Sequence, residues 1–242
     1  MRVAIVTGAS GGIGSAVSLK LASEGYAVAV CYCRSESAAV SVCEKIRSSG
    51  GVALPICLDL SDENSVTEAY GRIVSQLGVP EVLVNNGGTA HIGLFTDMSA
   101  SDIVRIINTD LIGAMLLSRI ASADMVRRHK GRIVNIASVW GEVGASCETV
   151  YSAAKAGMIG FTKALGKELA PSGITVNCIS PGLIDTKMNS LLTDEDIQEL
   201  LDDIPAGRMG SPEEVAALAA FLCSENASYI TSQVIRIDGG WC

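Results

Sequence analysis

At 242 residues, 48 % of them hydrophobic, the chain can bury a full core, and without a proline-, serine- or charge-rich break it reads as one domain, 1–242. A formal net charge of −8 argues against nucleic-acid binding, because no excess of cations is present to displace phosphate counterions. The opening MRVAIVTG enters an apolar strand with no basic leader or long apolar stretch, so neither secretion nor a membrane span is expected.

The eight cysteines (31, 33, 43, 57, 147, 178, 223 and 242) form no CxxC pair, and several stand in apolar runs where a thiol acts as a small hydrophobe. A reducing, cytoplasmic setting is expected. His91 and His129 are the only histidines and stand far apart, so no metal site is expected.

In chain order, apolar runs alternate with helical patterns. RVAIVTG precedes a helix over 12–24, AVAVCYC one over 36–48, VALPICLDL one over 62–77, and EVLVNN one over 100–129. RIVNIAS then leads to a helix from about 150, and ITVNCIS to an irregular stretch, 183–210, with a short helical pattern at DEDIQELL. SPEE, at 211–214, combines a serine cap, a proline at the first helical position and a glutamate at the third, and VIRID closes the series. Strands that are apolar throughout, separated by helix-length segments, predict a Rossmann-like, doubly wound α/β fold: one parallel sheet with helices on both faces. Ligands are then expected at the carboxyl ends of the strands. The 183–210 stretch is a candidate substrate lid, with plain loop filler as its alternative.

TGASGGIG follows the first strand and opens a helix, so Gly8, Gly12 and Gly14 can bring backbone and a helix N-terminus close to a pyrophosphate. Ser10 and Ile13 of the same loop join this cofactor set. Beyond the second strand, CYCRS has Tyr32 where an acid would hold the ribose 2′-hydroxyl of NAD, followed by Arg34 and Ser35. A guanidinium in place of a carboxylate favours NADPH, with a solvated helix-start residue as the lesser alternative for Arg34.

Tyr151 and Lys155 are at i and i+4 of a helical pattern, hence on one face. A free phenol has a pKa of about 10. A neighbouring ammonium stabilises the phenolate and lowers that value. Ser138, at the end of the fifth strand, can donate to the same substrate oxygen. A nicotinamide hydride could then reach a carbonyl carbon while Tyr151 protonates the oxygen. Taken singly, a capping serine, a half-buried tyrosine and a surface lysine would each be unremarkable.

With TGASGGIG, NNGG at 85–88, Ser138, YSAAK at 151–155, PG at 181–182 and IDGG at 237–240 in order, the chain resembles the short-chain dehydrogenases/reductases over its whole length. The resemblance implies that Asp59, with Leu60, meets the adenine and that Asn86, with Gly87, lies under the adenosine ribose. It also implies that Lys155 holds the nicotinamide ribose and that Ile184 and Thr186, after Pro181 and Gly182, meet the carboxamide. A homotetramer built on helix pairs is implied too. Asp110 stands where the family has a fourth catalytic residue, an asparagine that helps hold a water in a proton relay. Gly87 and Ser232 are smaller departures.

Within the family, RIVNIASVWG and KAGMIGFTKALGKELAPSGITVN look like 3-oxoacyl-acyl-carrier-protein reductases, so NADPH-dependent reduction of a ketone to a secondary alcohol is expected. Trp140, Glu142, Cys147 and Glu148 flank the serine and tyrosine, and GGTAHIGLF brings His91 near. These segments resemble the elongation factor P 5-aminopentanone reductase branch, where a glutamate could pair with a substrate ammonium; solvated loop glutamates are the alternative. A protein-linked ketone would need docking, for which RRHKGR (Arg127, Arg128, Lys130, Arg132) is the densest basic cluster, unless its cations only complement a helix dipole. The remaining alternative is an NADP-binding sensor or scaffold with little turnover, suggested by Asp110 alone.

Overall fold

The computed structural model describes residues 2–89, 91–187 and 193–242, without the side chain of Asp194. Seven strands, β1 (Arg2–Val6), β2 (Tyr26–Tyr32), β3 (Ala53–Cys57), β4 (Val82–Asn85), β5 (Gly131–Ile136), β6 (Ile174–Pro181) and β7 (Val234–Ile237), form one parallel sheet ordered β3-β2-β1-β4-β5-β6-β7. Strands β2, β5 and β6 are buried along their whole length, so they carry no polar alternation. One apolar cluster, with Val28, Val30, Leu21 and Val215, covers one face; a second, with Ile5, Leu83, Leu117 and Ile133, covers the other.

The helices are α1 (Gly12–Ser23), α2 (Glu36–Ser48), α3 (Glu63–Leu77), α4 (Ala100–Ile107), α5 (Gly113–Arg128), α6 (Thr149–Leu169), α7 (Asp194–Asp202) and α8 (Pro212–Cys223). The SPEE signal is a capping box: Ser211 Oγ accepts from the Glu214 N–H at 3.3 Å, and Glu214 Oε2 accepts from the Ser211 N–H at 2.8 Å. Where the sequence predicts one helix over 100–129, α4 and α5 are instead joined by a π-helical turn, Asn108–Ile112. The chain order reverses between β1 and β4, and their carboxyl ends open the crevice in which this fold takes its ligands. Of the lid expected over 183–210, residues 188–192 lie outside the described residues.

The basic cluster lies at the other end of the sheet. Arg132 is at the start of β5, whereas Ser138 follows its carboxyl end. Its cations also face carboxylates: Arg127 with Asp124 at 2.6 Å, Lys130 with Glu81 at 3.2 Å, and buried Arg132 with Glu225 at 3.2 Å. Arg127 and Arg128 close the last turn of α5, which fits the dipole reading. Among the described residues no helix is long and apolar enough to cross a membrane.

Candidate active site

Gly8 and Gly12 have φ of +60° and +50°, a backbone that side chains strain. At Gly14 a Cβ would fall 2.3 Å from the Gly8 carbonyl oxygen, so only glycine lets the loop close onto α1. The Asn86 amide ties the loop to β4, donating to the carbonyls of Thr7 at 3.0 Å and Gly8 at 3.2 Å. Thr7 Oγ1 returns the tie by accepting from the Asn86 and Gly87 N–H groups at 2.9 and 2.8 Å. The α1 N-terminus has no side-chain cap and no acid in its first turn, which suits an anion.

This loop borders a cavity of ≈ 400 Å³ that includes Ser10, Arg34, Ser35, Asp59 and Leu60. Asp59 Oδ1 accepts from the Ser61 N–H at 2.9 Å and from its hydroxyl at 2.7 Å, and these bonds, with Arg34 nearby, hold the carboxyl below its usual range. Tyr32 does not line the cavity: it packs into the apolar cluster with Val28 and Val30, and Cys31 and Cys33 face the cleft in its stead. Arg105 and Thr109 also line it, without a local signal in the sequence, because only packing of α4 and of the π-helical turn brings them there. A narrower cavity of ≈ 100 Å³ continues along Ile13, Asn86, Pro181, Gly182, Ile184 and Thr186 to Ser138, Tyr151 and Lys155. An extended groove with a glycine cradle at one end and a guanidinium beside it fits a nicotinamide dinucleotide.

Lys155 is buried on α6; its Nζ donates to the Ile136 carbonyl at 3.2 Å and lies 5.3 Å from the Tyr151 ring centre. Asp110, fully buried in the π-helical turn, brings Oδ2 to 3.7 Å from that Nζ, an ion pair rather than a hydrogen bond. Asp110 Oδ1 accepts from the Thr89 N–H at 2.8 Å, fixing the loop after β4. Gly88 makes room for this carboxylate, since a Cβ there would lie 2.6 Å from Oδ2. Burial pushes the Asp110 carboxyl up against the pull of Lys155. For Lys155, burial opposes the charge but Tyr151 and Asp110 outweigh it, leaving the ammonium above the usual lysine range. Lys155 does draw the Tyr151 phenol down, as its placement in the sequence suggests, yet burial outweighs it, aided by the Asp110 and Glu148 carboxylates, and the net direction is upward.

Ser138 and Tyr151 also border a third cavity, of ≈ 480 Å³, with Trp140, Glu148, Leu183, Leu200 and Trp241. Glu148 is held in the wall with its carboxyl raised by burial, against a hydrogen bond from Trp140. The other three candidate substrate residues do not line this cavity. Glu142 turns to Arg236, at 2.9 Å; Cys147, at φ +62°, takes the Gly93 N–H on its carbonyl at 2.9 Å; His91 lies over Gly93. Leu200 and Trp241 had no local signal, being far from the Ser–Tyr–Lys segment in sequence.

Fold and site together define a dinucleotide-dependent oxidoreductase with a serine, a tyrosine and a lysine where the narrow groove meets the larger cavity. A family model described as enoyl-(acyl carrier protein) reductase matches residues 8–242, and the chain belongs to the short-chain dehydrogenase/reductase family. It is 42% identical over 240 residues to the 3-oxoacyl-[acyl-carrier-protein] reductase FabG of Aquifex aeolicus, covering 99% of this chain and 96% of that protein. It is 40% identical over 241 residues to the uncharacterized oxidoreductase YmfI of Bacillus subtilis, covering 99% and 98%. A solved structure of a provisionally assigned gluconate dehydrogenase from Agrobacterium tumefaciens matches with a TM-score of 0.95 at 33% identity, over 99% of this chain and 95% of that one.

Proposed function

We propose that the chain uses NADPH to reduce a ketone to a secondary alcohol, as a 3-oxoacyl-acyl-carrier-protein reductase does. The observation that carries this reading is that Ser138 and Tyr151 face both the narrow end of the groove and the substrate cavity, with Lys155 buried beneath. In the groove, the glycine loop and the α1 N-terminus would hold the pyrophosphate, and Arg34 with Ser35 would hold the 2′-phosphate that separates NADPH from NADH. Asp59 and Leu60 would border the adenine, Asn86 and Gly87 the neighbouring ribose, Lys155 the nicotinamide ribose, and Ile184 and Thr186 the carboxamide. When bound, the nicotinamide supplies the hydride. Ser138 donates a hydrogen bond to the ketone oxygen and orients it. Tyr151 gives that oxygen its proton, and its raised pKa keeps it protonated, ready to act as an acid. Lys155 then stabilises the phenolate left behind, with Asp110 holding the ammonium charged.

A second reading, reduction of an amine-bearing ketone of the elongation factor P kind, is favoured by Glu148, the one carboxylate in the cavity wall among the described residues. A sensor without turnover has only Asp110 in its favour. A homotetramer in the cytoplasm is in keeping with the family, and exposed Val104 and Ile112 on the α4–α5 face suit burial against a second copy. The test is NADPH oxidation with acetoacetyl thioester and an amino-ketone side by side, with NADH as control. Turnover of the thioester with NADPH alone supports the first reading, and preference for the amino-ketone moves the assignment to the second. NADPH binding without turnover of either refutes both.

A further inference from the structure

The sequence places Glu142 where it could meet substrate, but the structure gives its carboxylate another partner. Arg236, on β7, grips it with Nε at 3.1 and 3.0 Å from its two oxygens and Nη2 at 2.9 Å from Oε2. The same guanidinium donates to the Cys242 carbonyl. Between these residues the chain makes a tight turn in which Gly239 and Gly240 take φ of +69° and +87°. Asp238 stitches the turn, accepting from the Gly240 and Cys242 N–H groups, each at 3.0 Å. The Gly239 carbonyl accepts from the Ala206 N–H at 3.1 Å, which fastens the turn to the segment after α7. Gly182 leaves space beneath, since a Cβ there would lie 2.9 Å from Asp238 Cα and 3.4 Å from the Trp241 ring.

These fastenings lie outside the substrate cavity, and of residues 236–242 only Trp241 enters its wall. Its ring meets Trp140 edge to face, with centroids 4.7 Å apart and planes at 64°. Trp140 belongs to the short helical turn Trp140–Val143 that also carries Glu142, so the ion pair joins the two segments that bear the two rings. Arg236 keeps the Glu142 carboxyl below its usual range, so the pair stays charged through neutral pH.

We propose that Glu142 and Arg236 are positioning residues for substrate selection: their ion pair seats Trp241 against Trp140, and this aromatic wall sets the length of chain that the ketone can carry. The inference rests on the reading that the ≈ 480 Å³ cavity receives the ketone. Neither residue touches the reacting atoms, and neither lines the cofactor groove.

The chain has two tryptophans, so a Trp–Trp exciton couplet in its circular dichroism, expected from rings this close, can come only from this pair. In Glu142→Gln and Arg236→Gln the couplet collapses. NADPH affinity stays within about twofold and kcat on acetoacetyl thioester within about threefold, while KM for a longer 3-oxoacyl thioester shifts roughly tenfold. Trp241→Ala reproduces the KM shift with the ion pair intact, and the charge swap Glu142→Arg with Arg236→Glu restores couplet and KM together. Gln variants that keep the couplet overturn the proposal, as does loss of the couplet with both KM values unchanged. If the unmodified protein reduces neither thioester, the 3-oxoacyl reading fails and selection by acyl-chain length falls with it. The couplet, read without substrate, still decides whether the ion pair seats Trp241.

Discussion

A carboxylate 3.7 Å from the Lys155 ammonium raises the proton affinity of both Lys155 and Tyr151. Reduction needs Tyr151 protonated, so the rate falls as pH rises through its pKa. Asp110→Asn removes a charge that raises this pKa, and the alkaline limb of kcat/KM should move to lower pH. A pH–rate profile checks this, and an unmoved limb would show that Asp110 does not tune the acid. Arg34→Ala should weaken NADPH roughly 10- to 100-fold, from about 1.5–3 kcal/mol for a charge-assisted bond, and leave NADH unchanged. Equal losses in titrations with both cofactors would return Arg34 to its plainer role at the start of α2. The Ser–Tyr–Lys set is legible in the sequence because residue type, helical spacing and strand end are all local. Trp241 and Arg105 are not, since each gains its role from a distant partner.

The π-helical turn belongs to the next scale. It carries Asp110 inward and rests on α6, where a Cβ on Gly157 would lie 2.7 Å from Leu111, while α5 begins so close to Leu60 that a Cβ on Gly113 would fall 2.2 Å from its carbonyl. Sequence periodicity reads 100–129 as one helix because the extra residue is forced by packing on both sides. Deleting Ile112, which is 40% exposed, should restore α-helical register and rotate Asp110 away from Lys155. The expected result is a folded protein by circular dichroism with turnover down by about 10²-fold, since misplacement of about 1 Å at a site has such a cost. Unchanged turnover would detach the turn from function. By contrast, the SPEE cap is fully legible, because its hydrogen bonds close within four residues.

For the whole molecule, parallel order and two-sided burial follow from uniformly apolar strands, and they put the site at one end of the sheet and RRHKGR at the other. From Arg132 to the end of β5 at Ile136 the strand spans roughly 13 Å at about 3.3 Å per residue, and Ser138 lies beyond it. Charge reversal at Arg127 and Arg128 should leave kcat/KM unchanged for free and carrier-linked thioesters alike, and a selective loss on the carrier-linked one would reinstate docking there. The sequence holds the cluster's charge but not its partners Asp124, Glu81 and Glu225, which only the fold gathers. The central claim is hydride transfer to a ketone with Tyr151 as proton donor, and the most direct measurement follows deuterium from NADPH deuterated at the nicotinamide into the product of acetoacetyl thioester reduction. The account predicts deuterium on the new carbinol carbon, and for Tyr151→Phe a rate lower by about 10²- to 10⁴-fold with NADPH binding intact. Bound NADPH with no deuterium transferred, or a Phe variant as fast as the parent, would contradict it.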